Sequence, residues 1–176
     1  MMNKGFEMIE AKWLFGVASE KVEAVVHPQS IVHSMVQFED GAVKAQLGTP
    51  DMRLPIQYAF SYPDRLPGDF GRVDFTRLGC LTFEKPDTVR FRNLALAIEA
   101  MHRGGNLPCI LNAANEEVVA AFLQDRISFL GMSDVIEQTL QRVGFITSPT
   151  YDDYVATDAE ARRIAAELIP SISTSC

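Results

Sequence analysis

Apolar residues open the chain at spacings of four, three and four: Met2, Phe6, Ile9 and Trp13. That recurrence is helical, and it predicts a helix from Asn3 to about Ala18 with these four side chains on one inward stripe and Gly16 as its stop. The pattern then changes period. In "EAVVHPQSIVHSMVQFEDGAVKAQLG" two alternating runs flank Asp40-Gly41, a pair suited to a two-residue type I′ turn because both central positions need φ > 0. With that turn fixed, Phe38 faces Val43, Val36 faces Ala45 and Ser34 faces Leu47, giving one mostly apolar face. The other face carries His33, Met35 and Gln37 across from Lys44 and Gln46. It is too polar for deep core and fits solvent, a subunit interface or the wall of a site.

"TPDMRLPIQYAFSYPDRLPGDFG" follows. Thr49 before Pro50 predicts a helix N-cap with proline at the first helical position. Pro55 kinks or restarts any such helix, since interior proline costs about 3 kcal/mol. Between Pro63 and Pro86 the density of Pro and Gly marks a linker, ordered by Phe70, Phe75, Leu78, Leu81 and Phe83. Helical periodicity then runs to the end. Leu94, Ile98 and Met101 mark a first helix stopped at Gly104-Gly105; Pro108 opens a second with Leu111, Val118, Val119 and Phe122 inward. Ser133 caps a third carrying Ile136, Leu140 and Val143 and ending at Gly144. Thr157 with Glu160 is a capping-box signature for a fourth, with Ile164 and Leu168 inward. Four helices on short loops predict a small bundle, and the closing "PSISTSC" reads as a frayed tail. The fold class is α+β: a helix and a β-hairpin over residues 1–62, a linker over 63–87, and a helical bundle over 88–176.

Composition removes several classes of function. The 176 residues are 47% hydrophobic and 22% charged, as in ordinary globular proteins, and a chain of this length buries roughly 70% of its unfolded surface. With 23 acidic against 16 basic residues the formal charge is −7, and the basic residues are scattered, which argues against nucleic acid as a partner. No apolar run approaches the roughly 20 residues of a membrane helix, and the start lacks the features of a secretory signal. Cys80, Cys109 and Cys176 are widely spaced without a C-x-x-C pair, which predicts reduced, structural or incidental thiols in the cytoplasm and neither zinc nor disulfides.

Candidate chemistry is sparse. His27, His33 and His102 form no i, i+4 pair, so the helical two-histidine metal motif is missing. His102, just before Gly104-Gly105, suits a helix C-terminus without any further role. The sequence has no nucleophile elbow, no phosphate loop and no G-x-G-x-x-G dinucleotide fingerprint. The first helix is the exception. Asn3 and Glu7 are four residues apart and Lys4 and Glu7 three apart, separations that bring side chains together on a helix. An amide and an ammonium can hold a phosphate or hydroxyl, and a carboxylate can offer oxygen to a hard divalent ion. The plainer reading is a solvated face with a Lys–Glu pair worth a few tenths of a kcal/mol. One carboxylate does not complete an octahedral shell, so the remaining ligands must come from elsewhere.

Four stretches in order, "MMNKGFEMIEAKWLF", "HPQSIVHSMV", "DGAVKAQLGTPDMRLPIQYAFSYP" and "LNAANEEVVAAFL", resemble the C-terminal part of the 1-deoxy-D-xylulose 5-phosphate reductoisomerase family. The resemblance runs to about Ile169. It implies an oxidoreductase of the non-mevalonate route to isoprenoids, converting 1-deoxy-D-xylulose 5-phosphate to 2-C-methyl-D-erythritol 4-phosphate with NADPH and Mg²⁺ or Mn²⁺. Through the family's M-N-K-G-x-E motif it implies that Asn3 and Lys4 bind substrate oxygens and that Glu7 ligates the metal while contacting substrate. It also implies that His33 lines the substrate site, that Met52 lies near the nicotinamide, and that the hairpin helps form a homodimer. Residues 1–62 then correspond to a remnant of the catalytic domain and 88–176 to the family's C-terminal four-helix bundle. The family's Rossmann domain, its D-S-E metal motif, its serine-rich segment and its flap find no counterpart here. The chain is therefore expected to be a piece of a longer enzyme, inactive alone, with a stand-alone dimerising module or a functionless fragment as the alternatives.

Overall fold

Residues 1–173 are described by a computed structural model of the chain. The chain divides into two units, one built from residues 1–24 and from residue 87 onward, the other from residues 25–86. The first is helical. It contains α1 (Met2–Phe15), a 3₁₀ turn (Ser19–Lys21), α4 (Arg92–Arg103), α5 (Leu107–Phe122), α6 (Gly131–Arg142) and α7 (Tyr151–Ser173). The second holds β1 (Val32–Gln37), β2 (Val43–Leu47), α2 (Arg53–Ser61) and the four-residue α3 (Phe75–Leu78). The α+β class and the four-helix bundle of the sequence reading are present, with α1 packed on α4.

The bundle's core is Leu94, Met101, Ile110, Leu111, Val118, Val135 and Ile136, all nearly free of solvent, joined by Ala161, Ala165 and Leu168 of α7. Gly104, at φ 66°, ends α4 as expected, because a left-handed backbone suits glycine, and Pro108 sits in the first turn of α5. Other boundaries differ. Val119 and Phe122 are 39% and 38% exposed, Phe122 meeting Phe129 edge-on at the bundle's rim. α6 begins at Gly131 rather than after Ser133, because Ser128 Oγ accepts from Gly131 N at 3.1 Å. α7 begins six residues before Thr157. The cap is Thr150 with Asp153: Thr150 N donates to Asp153 Oδ2 (2.8 Å) and Asp153 N to Thr150 Oγ1 (3.2 Å), a reciprocal capping box. Nor does the chain fray at Pro170. α7 continues to Ser173 because Ile172 still packs on the core; residues 174–176, with the third cysteine, lie outside the described residues.

The Thr150 backbone N–H and hydroxyl hold the Asp153 carboxyl below the usual carboxylate range. A depressed folded-state pKa contributes stability above the unfolded value of about 3.9, and loses it as pH falls through the lower folded value. Asp153→Asn is therefore expected to lower the thermal midpoint at neutral pH and to leave it nearly unchanged near pH 2. Paired melts at the two pH values test this, and equal losses at both would rule out the charge.

A different polar residue ties the bundle together. Asn106 is fully buried at the start of α5. Its Nδ2 donates to Gly144 O (2.9 Å) and to Thr157 Oγ1 (3.2 Å), and its Oδ1 accepts from Ile146 N (3.0 Å). Thr157, expected as a cap, is in fact this residue's buried partner on α7.

In the other unit β1 and β2 pair antiparallel, but with Gln37 opposite Val43, Val36 opposite Lys44, Met35 opposite Ala45 and Ser34 opposite Gln46. The expected register is shifted by one residue. Phe38 N donates to Ala42 O and Gly41 N to Phe38 O, so the loop is the three residues 39–41. Only Gly41 takes positive φ, at 85°, whereas a type I′ turn needs it at Asp40 too. The shift moves Lys44 beside Val36 and Val43 beside Gln37, so neither face is cleanly apolar; every strand residue except Val32 and Leu47 is exposed.

Thr49 caps nothing; its hydroxyl donates to Gly71 O at 3.1 Å. α2 begins at Arg53, with Asp51 Oδ1 accepting from Arg53 N at 3.0 Å. Pro55 falls in that first turn, where a missing N–H costs little. Residues 63–86, expected as a linker, are returned toward the hairpin's approach strand. Val26 and Glu84 exchange both backbone hydrogen bonds at 2.9 Å, His27 Nδ1 lies 2.8 Å from Thr82 O, and its ring stacks on Phe83.

Candidate functional site

The first two turns of α1 place Asn3, Lys4 and Glu7 on its solvent side, because Met2, Gly5, Met8 and Ile9 turn the opposite side into the core. The three side chains meet. Asn3 Nδ2 donates to Glu7 Oε1 at 2.6 Å, and Lys4 Nζ pairs with Glu7 Oε2. Lys4 and Glu7 keep 46% and 45% of their side-chain surface exposed. An ion pair this open contributes on the order of 0–1 kcal/mol, so an incoming anion or cation displaces it cheaply. Each carboxylate oxygen also keeps a lone pair beyond the bond it accepts. The arrangement presents one carboxylate that bridges an amide and an ammonium, one on each oxygen, within a single exposed turn.

One part of the expected apolar stripe fails. Trp13 is 70% exposed, with Leu14 and Phe15 beside it at 78% and 77%. Lys12 Nζ already reaches Met101 O in the last turn of α4, at 3.0 Å, so α1 runs out of supporting helix there. Gly16, at φ 61°, then stops it as the sequence suggests.

His33 and Met52 belong to the other unit. His33 is an exposed residue of β1 at the irregularity between Val32 and Ser34, and a side chain on Gly48 would stand 3.7 Å from its Nε2. Met52 is 72% exposed at the N-cap of α2. Neither candidate lines the groove between α2 and residues 65–72. Among the described residues no three His, Cys, Asp or Glu side chains gather where they could hold a metal ion. Glu7 alone does not fit a complete divalent-ion shell. Cys109 is half-buried and burial pushes its thiol up, as for a structural cysteine rather than a nucleophile. No helix among the described residues is long and apolar enough to cross a membrane.

Gly5 is the residue that sequence reasoning passed over. A Cβ there would stand 2.3 Å from Ala97 Cβ, so the backbones of α1 and α4 approach as closely as they do only because Gly5 has no side chain. The available signal was a glycine inside an otherwise helical run, between Lys4 and Glu7.

Residues 47–164 match the family model described as the DXP reductoisomerase C-terminal domain. The chain is 78% identical over 170 residues to a 1-deoxy-D-xylulose 5-phosphate reductoisomerase of Bacteroides thetaiotaomicron, covering 97% of this chain and 44% of that protein. It is 54% identical over 170 residues to the one from Porphyromonas gingivalis, again covering 97% and 44%. Among solved structures, the reductoisomerase of Zymomonas mobilis in complex with NADPH superposes with a TM-score of 0.87 at 47% identity, covering 97% of this chain and 45% of that one. A reductoisomerase in complex with NADPH, fosmidomycin and magnesium gives a TM-score of 0.85 at 36% identity, covering 96% and 44%. The chain thus spans less than half the length of the relatives it matches.

Proposed function

The chain belongs to the 1-deoxy-D-xylulose 5-phosphate reductoisomerase family, corresponding to its C-terminal region, and from that premise we propose that it is the substrate-gripping portion of such an enzyme. The reaction is the NADPH- and divalent-metal-dependent conversion of 1-deoxy-D-xylulose 5-phosphate to 2-C-methyl-D-erythritol 4-phosphate, in cytoplasmic isoprenoid-precursor synthesis by the non-mevalonate pathway. The observation that carries this reading is the convergence of Asn3, Lys4 and Glu7 on one exposed turn. Asn3 and Lys4 bind substrate oxygens, the ammonium serving as a point charge and the amide fixing direction. Glu7 supplies one carboxylate to the metal and touches substrate. His33 borders the substrate and Met52 the nicotinamide. These residues do not by themselves complete a metal shell. Their work is binding and orientation, which gains effect only when all reacting partners are held together.

The hairpin's exposed apolar residues Met35, Val36 and Val43, and its two unpaired strand edges, support its use as a homodimer surface. The same exposure favours a second reading, a module that dimerises without catalysis. One experiment separates them. The 176 residues replace the matching 44% of the Bacteroides thetaiotaomicron relative, and this graft is assayed with substrate, Mn²⁺ and NADPH beside the isolated chain. The graft is expected to turn over at about 1–10³ s⁻¹ and sediment as a dimer; the isolated chain is expected to consume no NADPH. A folded, dimeric but inactive graft favours the module. Turnover by the isolated chain contradicts the dependence on the rest of the enzyme.

A further inference from the structure

We infer that Gly5 and Ala97 form a positioning contact through which the C-terminal bundle sets the orientation of Asn3, Lys4 and Glu7. The inference rests on the site reading above and extends it to a residue of α4 that no part of that reading uses. Gly5 is buried, Ala97 is fully buried, and a Cβ on Gly5 would lie 2.3 Å from Ala97 Cβ and 4.0 Å from Leu94 Cδ1. Real Cβ atoms do not approach to 2.3 Å, so any side chain there forces α1 away from α4 or rotates it. Leu94 is itself wholly enclosed and gives no room, and close-packed interiors move whole elements when overfilled.

The direction of the effect follows from helix geometry. At about 100° per residue, implied by 3.6 residues per turn, Asn3 and Glu7 lie about 160° from Gly5 around the axis. They project from the side opposite the contact, and a displacement at Gly5 is carried directly to them. Two further anchors keep α1 from relaxing by simple sliding. Met8 and Ile9 are buried in the same core, and Lys12 Nζ is tied to Met101 O on the same partner helix at 3.0 Å. Met2 is thus buried in that core on one side of Gly5, and Met8, Ile9 and Lys12 are held on the other. A bulge at residue 5 is taken up by tilting or rotating α1, which carries the amide, ammonium and carboxylate with it. Neither Gly5 nor Ala97 touches substrate; both act through the backbone of α1.

The test uses three variants in the graft and in the isolated chain. Gly5→Ala and Ala97→Val overfill the same contact from opposite sides, and Ala97→Val changes no residue of α1. Gly5→Ala/Ala97→Gly moves the methyl group across and restores the space. In the graft, each single substitution is expected to lower kcat/KM at least tenfold at a temperature well below its melting point, with a raised KM, and the swap is expected to recover to within threefold. In the isolated chain, the Asn3 side-chain amide resonance reports its bond to Glu7 without any turnover; it should shift in both single variants and return in the swap. A contact that merely stabilises the fold would lower the melting temperature while leaving KM, kcat and that resonance at wild-type values, and this result overturns the inference. An inactive wild-type graft would count against the proposed function alone, because the amide resonance still decides the contact.

Discussion

Asn106→Ala is expected to lower the unfolding free energy by about 3–5 kcal/mol, summing the loss of a well-placed buried amide and the partners it strands. The side chain makes three hydrogen bonds, to Gly144 O, Thr157 Oγ1 and Ile146 N, and lies at 0% exposure. Removing it strands the half-buried Ile146 N–H, costing roughly 1–3 kcal/mol when water cannot replace the bond. It also strands the carbonyl of the exposed Gly144, which costs less because water reaches it. The cost is concentrated because the three partners belong to two other pieces of chain. Gly144 and Ile146 hold the connection between α6 and α7, Thr157 is on α7 itself, and Asn106 opens α5. Two controls sharpen the result. Thr157→Val preserves shape but strands one buried N–H of Asn106, so about 1–3 kcal/mol is expected. Asn106→Asp keeps the acceptor for Ile146 N but turns two donated bonds into a buried negative charge facing a carbonyl, and should cost at least as much as alanine. Urea unfolding followed by circular dichroism gives all three values. A loss under about 1 kcal/mol for Asn106→Ala would mean that water or a shifted loop satisfies the stranded groups.

The same residue shows where the sequence stops being readable. The periodic elements were legible because apolar spacing reports directly on which face is buried: the helices around Leu94, Leu111, Ile136 and Ile164 are where their periods place them. Stop signals were legible too, since Gly16 and Gly104 adopt the left-handed backbone that glycine tolerates. Ends set by a side chain's choice between two partners were not. Thr157 and Thr150 each precede an acidic residue by three positions, and nothing local says that Thr157 is taken by Asn106 across the bundle. Likewise the hairpin register turns on the φ of Asp40, and a single extra loop residue moves every pair. The site divides in the same way. The convergence of Asn3, Lys4 and Glu7 follows from helical spacing alone, whereas the seat beneath them depends on the Gly5–Ala97 approach, between residues far apart in the chain. The exposure of Trp13 was hidden for a related reason: a period shows which side of a helix is apolar, not how far its partner helix extends.

Glu7→Gln, placed in the graft, is expected to reduce kcat/KM by about 10²- to 10³-fold, the scale found for removing one preorganised electrostatic contact at a reacting centre. The substitution is nearly isosteric. Its amide oxygen can still accept from Asn3 Nδ2, and the lost pairing with Lys4 is an exposed one whose contribution to stability is small. Folding should therefore be untouched, with a melting temperature close to that of the parent. What disappears is the negative charge, and with it one oxygen donor of the kind that hard divalent ions require. The loss should show first in the ion: the Mn²⁺ concentration for half-maximal rate should rise, and saturating Mn²⁺ should recover part of the rate. Lys4→Gln is expected to behave differently, raising KM for the phosphorylated substrate while leaving the Mn²⁺ dependence near the parent's, because the ammonium is assigned to substrate oxygens. This contrast carries the argument further than either loss alone. If Glu7→Gln keeps its rate within threefold and its Mn²⁺ dependence unchanged, the carboxylate is no ligand, and the close group on α1 is a solvated helix face steadied by one ion pair.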